Sequence, residues 1–185
     1  MKIYIVGCAK SGTWLLLWLF SAFENIHTLD YESERKINYV QDFKLNKGQI
    51  GVWKRTWNMA FSHHRDEIVR PPLQKQLEIF QENDISVVYI RRKKEDVLKS
   101  DGGWVSENRY DDCEKQAIEY SEYIKCFVDY DDLLKNPDEV QKIITKSLNL
   151  KIKNNWSDFP DFVPDEAFNV HKGANYSKRR LGEKY

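Results

Sequence analysis

The run Ile85–Ile90 (ISVVYI) is apolar and β-branched along its whole length, broken by a single serine. A strand with no polar face must be covered on both sides, and soluble proteins achieve this where helices flank a parallel sheet. The chain therefore has to supply further strands and the helices that cover them. Lys2–Val6 (KIYIV) is one such strand, ended by Gly7 and followed by a loop of small residues and an apolar stretch that begins near Gly12 and runs to Phe20. That order reads as strand, loop, helix. Ile50–Trp53 (IGVW) reads as another strand and Cys126–Tyr130 as a further buried one, while residues 25–49 are polar and mixed, irregular with room for one short element.

Three segments carry helix signals. Pro71 and Pro72 precede LQKQLEIFQEN, in which Leu73, Leu77 and Phe80 recur at helical spacing, so a helix opens at the proline pair. From about Asp111 to Ile124 an acidic first turn leads a helix with Cys113, Ala117, Ile118, Tyr120 and Ile124 as candidate inward positions. Asn136-Pro137-Asp138-Glu139 offers an N-cap, proline at the first helical position and acids in the first turn, with Val140, Ile143, Ile144 and Leu148 expected inward. Beyond Lys151 the chain is aromatic-rich and then basic, without a period. Strands alternating with helices predict an α/β fold, with a mainly parallel central sheet flanked by helices. At 185 residues and 41% hydrophobic, residues 1–185 suit a single domain, one that buries roughly two-thirds of the surface its unfolded form exposes.

Charge and cysteine usage narrow the function classes. With 29 basic and 29 acidic side chains the net charge is zero, so no global field draws the protein to nucleic acid or to an anionic membrane, and neither is expected as a partner. An anion site has to come from local clustering. Cys8, Cys113 and Cys126 are odd in number and irregular in spacing, which suits neither a disulfide framework nor a zinc site, and no metal ligand set is expected. Met1 leads straight into the first strand, leaving no room for a secretory leader, and the run Trp14–Phe20 is too short to span a bilayer. Reduced thiols in a cytoplasmic protein are the expectation.

Between the first strand and helix lies Gly7-Cys8-Ala9-Lys10-Ser11-Gly12-Thr13. Backbone N–H groups and the helix dipole at such a junction favour a bound anion. The two glycines have the spacing of GxxxxGK[ST], but lysine sits inside the loop at position 10, and Thr13 directly follows Gly12. The charge is therefore placed for a different use. On its own the segment could equally be a tight turn with a helix N-cap.

AKSGTW resembles the 5′-phosphosulfate loop of sulfotransferases that use 3′-phosphoadenosine 5′-phosphosulfate (PAPS), usually written PKSGTTW. The resemblance implies that Lys10 contacts the sulfuryl end of the donor and that Ser11, Gly12 and Thr13 hold its 5′-phosphate. Ala9 replaces the family's proline and one threonine is missing. Either Trp14 fills the second threonine position or the loop is one residue shorter, which bears on the stacking role that the family gives its tryptophan. A second segment, RKKEDVLKS from Arg92 to Ser100, resembles the family's RNPKDVxxS, with Arg92, Asp96, Val97 and Ser100 in register. It implies that Arg92 and Ser100 grip the donor's 3′-phosphate, the guanidinium by its planar fork, with Asp96 capping the helix between them. Without the resemblance, Arg91–Lys94 would read as a solvated basic cluster.

Two further segments fit the same family. Val128–Leu150 is similar to its VxYEDLxxxPxxxxxxIxxxLGL stretch, a structural match, and Val170-His171-Lys172-Gly173 to the RKG loop over the 3′-phosphate, with His171 in place of arginine and Lys178, Arg179 and Arg180 nearby. Residues 25–84 are almost unmatched. VWKRTW (52–57) resembles the family's KTH strand end without its histidine, so Lys54 is expected to support the sulfuryl oxygens. The general base then falls to His63 or His64, with His27, Glu32 and Glu34 as alternatives. Trp14, Trp53, Trp57 and Trp104 are candidates for an aromatic acceptor pocket, or for core. The implied activity is metal-independent transfer of a sulfuryl group from PAPS to a hydroxyl or amine on a small-molecule or carbohydrate acceptor. The alternatives are a P-loop nucleotide kinase or NTPase, with Cys126–Asp129 as a Walker B-like strand end, and a non-catalytic nucleotide-binding module.

Overall fold

The computed structural model describes residues 1–28, 44–56, 73–100 and 105–159. Five strands form one sheet: β1 (Lys2–Gly7), β2 (Ile26–Thr28), β3 (Ile50–Thr56), β4 (Ile85–Arg91) and β5 (Ile124–Asp129), in the order β2-β3-β1-β4-β5. Every pairing is parallel. β1 is central, with Ile3 opposite Val52 of β3 on one side and opposite Ser86 of β4 on the other. The expected α/β class is therefore what the chain adopts, and among the described residues of 25–49 β2 is the short element.

Alternation along β1 divides the interior into two layers. Ile3 and Ile5 face one way, into a core shared with α1 (Thr13–Leu19) and with Val140, Ile144 and Leu148. Tyr4 and Val6 face the other way, against Leu77 and Phe80 of α2 (Leu73–Glu82). α3 (Lys94–Lys99) and α4 (Glu107–Glu119) follow β4, and Val97, Cys113 and Ala117 join that second layer. α5 (Tyr130–Lys135) and α6 (Pro137–Leu148) close the first. With both faces covered, the nearly continuous apolar character of Ile85–Ile90 in β4 is explained.

Several expectations need correction. α4 starts at Glu107, four residues ahead of the expected Asp111, because the Ser106 side chain accepts a hydrogen bond from the Arg109 N–H and so caps the helix there. It stops at Glu119, leaving Ile118 67% exposed, and Ile124 is the first residue of β5. β5 is an edge strand in which Ile124, Cys126 and Val128 are buried while Lys125, Phe127 and Asp129 face out, so it is buried on one face only. Tyr130 does not end β5 but opens α5, whose N-cap is Asp129: its Oδ1 accepts from the N–H groups of Asp131 and Asp132. In α6 the inward stripe is Val140, Gln141, Ile144 and Leu148, whereas Ile143 is 55% exposed. Asn136 precedes Pro137 as expected, but its side chain makes no capping bond.

The segment after α6 returns to the beginning of the chain. Lys153 N–H donates to the Ala22 carbonyl at 2.8 Å, and Phe23 bridges Ile152. Trp156, fully buried, donates its indole N–H to the Leu19 carbonyl at 2.7 Å, which satisfies an orphan acceptor at the end of α1. Gln141 reads this segment from α6, accepting from Trp156 N–H at 3.1 Å and donating to the Asn154 carbonyl at 2.9 Å.

Candidate functional site

The strand order creates a crevice at the carboxyl ends of β1 and β4. From β1 the chain leaves toward β2, and from β4 toward β5, so the two neighbouring strands send their connections in opposite directions. Open parallel sheets take ligands at such a switch point.

The loop between β1 and α1 fills one lip. Ser11 N–H donates to the Cys8 carbonyl at 3.1 Å, closing a tight turn, and Lys10 (φ 68°) and Gly12 (φ 100°) both lie in the left-handed region on either side of Ser11. Alternation of hand over successive residues turns backbone N–H groups toward one concavity, a form suited to an anion. Lysine in that region is strained, and strain of this kind persists where the surroundings hold it. Here the holding contact is visible: Arg92 Nη1 donates to the Lys10 carbonyl at 3.1 Å. The Lys10 side chain itself is exposed, Thr13 is buried as the first residue of α1, and the fully buried Ser11 Oγ has no hydrogen-bond partner among the described residues. A buried hydroxyl without a partner is costly unless a ligand supplies one.

Arg92 forms the other lip, one residue past β4. Its guanidinium stacks on Tyr130 at 4.6 Å from the ring centroid, and the Tyr130 ring packs in turn on Gly12 so tightly that a Cβ there would lie 2.5 Å from Cδ2. Three adjoining elements, the β1 loop, the end of β4 and the start of α5, therefore meet around one tyrosine. Tyr110 of α4 fixes the arginine's own peptide, donating its hydroxyl to the Arg92 carbonyl at 2.6 Å. Burial first and Glu114 second push the Tyr110 hydroxyl up to about 12, so it stays a donor.

The basic run after β4 is not a uniform solvated cluster. Arg91 lies 3.6 Å from Glu114 and over the Phe127 ring; Lys93 pairs with Asp131 at 2.5 Å; Lys94 pairs with Asp111 at 2.8 Å and Glu107 at 3.3 Å. The hydrogen bond from Lys93 holds the Asp131 carboxyl below its ordinary value. Among the described residues, Arg92 is the member of this run with no carboxylate in ion-pair range, and it is the one aimed at the loop.

Other expected residues fall in different places. Lys54 of β3 sits with its Nζ 3.9 Å from the centroid of the Trp14 ring, and Trp14 also stacks on Trp18. That brings Lys54 to the start of α1. Trp53 points to the opposite layer, where it packs on Tyr4 at 5.4 Å and is core, not pocket. Ser100 ends α3, its hydroxyl donating to the Val97 carbonyl at 3.0 Å. Asp96 lies inside the first turn of α3 while Lys93 occupies the cap position without a side-chain bond, so Asp96 does not cap that helix. His27 is exposed on β2. His63, His64, Glu32, Glu34, Trp57, Trp104, His171, Lys172, Gly173 and the cluster at 178–180 lie outside the described residues. Tyr130 and Tyr110 were not singled out in the sequence; the tyrosine at the end of the β5 motif was the available signal for the first.

No family model matches the chain, and no curated protein matches it. Among solved structures, 29 chains match. One is mouse sulfotransferase SULT7A1 complexed with PAP, at a TM-score of 0.53 and 15% identity, covering 83% of this chain. The alignment covers 60% of that protein's length. At that identity the shared property is the fold, a parallel α/β sheet flanked by helices. No helix among the described residues is long and apolar enough to cross a membrane.

Proposed function

We propose that the chain is a PAPS-dependent sulfotransferase acting on a hydroxyl or amine of a small-molecule or carbohydrate acceptor. The observation that carries this reading is the contact between Arg92 and the Lys10 carbonyl, which sets a guanidinium with no carboxylate partner among the described residues and a left-handed lysine loop at one switch point. One adenosine bearing a phosphate at each end spans such a pair. Ser11, Gly12 and Thr13 receive the 5′-phosphate, with the orphan Ser11 hydroxyl gaining its missing partner, and Arg92 with Ser100 receives the 3′-phosphate. Trp14 borders the donor, and Lys172 with Gly173 is assigned to the 3′-phosphate by resemblance alone.

Sulfuryl transfer demands alignment and charge stabilisation more than covalent chemistry. Lys10 stabilises charge on the bridging oxygen as the S–O bond breaks, and Lys54, steered by Trp14, supports the sulfuryl oxygens. His63 or His64 takes the acceptor's proton in this scheme. A kinase or NTPase would call on Asp129 at the end of β5 as its magnesium ligand. That carboxylate caps α5, and β5 is separated from β1 by β4, which favours the sulfotransferase. Calorimetry with 3′-phosphoadenosine 5′-phosphate (PAP) against AMP and ATP tests the reading. PAP is expected to bind most tightly, and turnover with PAPS to persist in EDTA. Preference for ATP with chelator-sensitive turnover would establish the kinase instead, and tight PAP binding with no turnover on a broad acceptor panel a silent binding module.

A further inference from the structure

Arg91, Arg92, Lys93 and Lys94 carry the chain from β4 into α3, and α4 holds three of them. Glu107, Tyr110, Asp111 and Glu114 lie three or four positions apart on α4, so their side chains share one face of that helix. Glu114 accepts at Oε1 from the buried Tyr89 hydroxyl at 2.8 Å, and its Oε2 lies 3.6 Å from Arg91 Nε. Tyr110 donates its hydroxyl to the Arg92 carbonyl at 2.6 Å. Asp111 and Glu107 take the Lys94 ammonium at 2.8 and 3.3 Å. We propose that this face of α4 is a clamp for Arg92 and that Tyr110 is a positioning residue that sets selectivity for a nucleotide carrying a 3′-phosphate, a role that rests on the donor site assigned above.

The contacts of the clamp are unequal. The carboxylates that pair with Lys94 are exposed, and exposed ion pairs contribute little. The Tyr110 ring, by contrast, packs against the second core layer, which delivers its hydroxyl from a fixed place. Its acceptor sits where the chain has no fastening of its own, because Lys93 occupies the cap position of α3 without a side-chain hydrogen bond. The peptide unit is planar, so holding the Arg92 carbonyl fixes the rotation of the whole Arg92–Lys93 peptide about the Arg92 Cα. The point from which the arginine side chain departs is thereby tied to α4. On the other side of the crossing, Lys93 pairs with Asp131 and the guanidinium stacks on Tyr130, so the same stretch is also held toward α5.

The guanidinium has one donor left over. Its Nη1 bonds the Lys10 carbonyl, whereas its Nε is buried and has no hydrogen-bond partner among the described residues. A buried donor in that condition is costly unless a ligand oxygen accepts from it. A phosphate that accepts from Nε and a terminal nitrogen together uses the planar fork of the side chain, and that geometry is demanding. Slack in the peptide behind Arg92 is therefore felt at a 3′-phosphate, while a 5′-phosphate is received by Ser11, Gly12 and Thr13.

Calorimetry of the full chain with PAP and with AMP, which lacks the 3′-phosphate, is run on wild type, Tyr110→Phe, Arg92→Ala and the double variant. Tyr110→Phe keeps the packed ring and removes only the hydroxyl. It is expected to weaken PAP by about 2- to 12-fold, the equivalent of one hydrogen bond, and to leave AMP unchanged, so that the preference for PAP over AMP falls by that factor. The preference is taken from one sample, so any unfolded fraction cancels from it. In the Arg92→Ala background, Tyr110→Phe is expected to change nothing further. Equal losses for PAP and AMP would make Tyr110 a structural residue and overturn the proposal, as would an unchanged preference or a full additional loss in the Arg92→Ala background. If Arg92→Ala binds PAP as wild type does, the donor site itself fails and the clamp's role with it. If Arg92→Ala abolishes the preference and Tyr110→Phe leaves it intact, the clamp alone fails and the donor reading stands.

Discussion

Gly12→Ala probes the joint between the two halves of the site. Gly12 adopts φ 100° and faces Tyr130, whose Cδ2 and Cε2 would lie 2.5 and 2.6 Å from an added Cβ. A side chain in the left-handed region costs roughly 1–2 kcal/mol. Overpacking against a ring held by Arg92 and by the core adds about 1–3 kcal/mol. The total, about 2–5 kcal/mol, lowers Tm by roughly 4–20 °C for a chain of this size. Gly48 provides the control, because it also has positive φ, 85°, but nothing lies within 4 Å of its Cβ position. Gly48→Ala should therefore show the conformational part alone, about 1–2 kcal/mol. Thermal and urea unfolding of both variants give the difference, which is the packing cost against Tyr130. In a Tyr130→Ala background that difference should vanish. Equal destabilisation by Gly12→Ala and Gly48→Ala in the wild-type background would refute the claimed contact. Because the displaced ring also carries Arg92, PAP affinity should fall in Gly12→Ala beyond what the folded fraction explains.

Arg92→Ala should weaken PAP binding by roughly 1.5–3 kcal/mol, about 10- to 150-fold, and calorimetry showing an unchanged Kd would remove Arg92 from the site. Lys10→Ala should cut kcat far more than PAP affinity; equal losses would make it a binding residue only. Gln141→Leu strands the buried Trp156 N–H and should cost about 1–3 kcal/mol in urea unfolding, whereas a value near zero would mean that Gln141 is dispensable to the clasp.

What the sequence disclosed and what it hid divide along physical lines. β1 and β4 are legible because a strand covered on both faces leaves a continuous apolar run, and the loop and Arg92 are legible because they follow directly from those strand ends. The register that sets Lys10 beside Arg92 is a property of strand order, which no local pattern encodes. In β5 the charged residues Lys125 and Asp129 did mark an exposed face, but the apolar Phe127 between them masked the alternation. α5, only six residues long, is too short to show a helical period. The role of Tyr130 depends on a ring crossing from one strand end to another.

The clasp between Trp156 and Leu19 joins residues 137 positions apart. During synthesis the helix behind the phosphate loop emerges early, yet the side chain that seals its last turn is among the final parts of the described chain to be made. Donor binding should accordingly be acquired late, only after residue 156 has cleared the ribosome, and nascent chains halted short of it should hold the loop's residues without its shape.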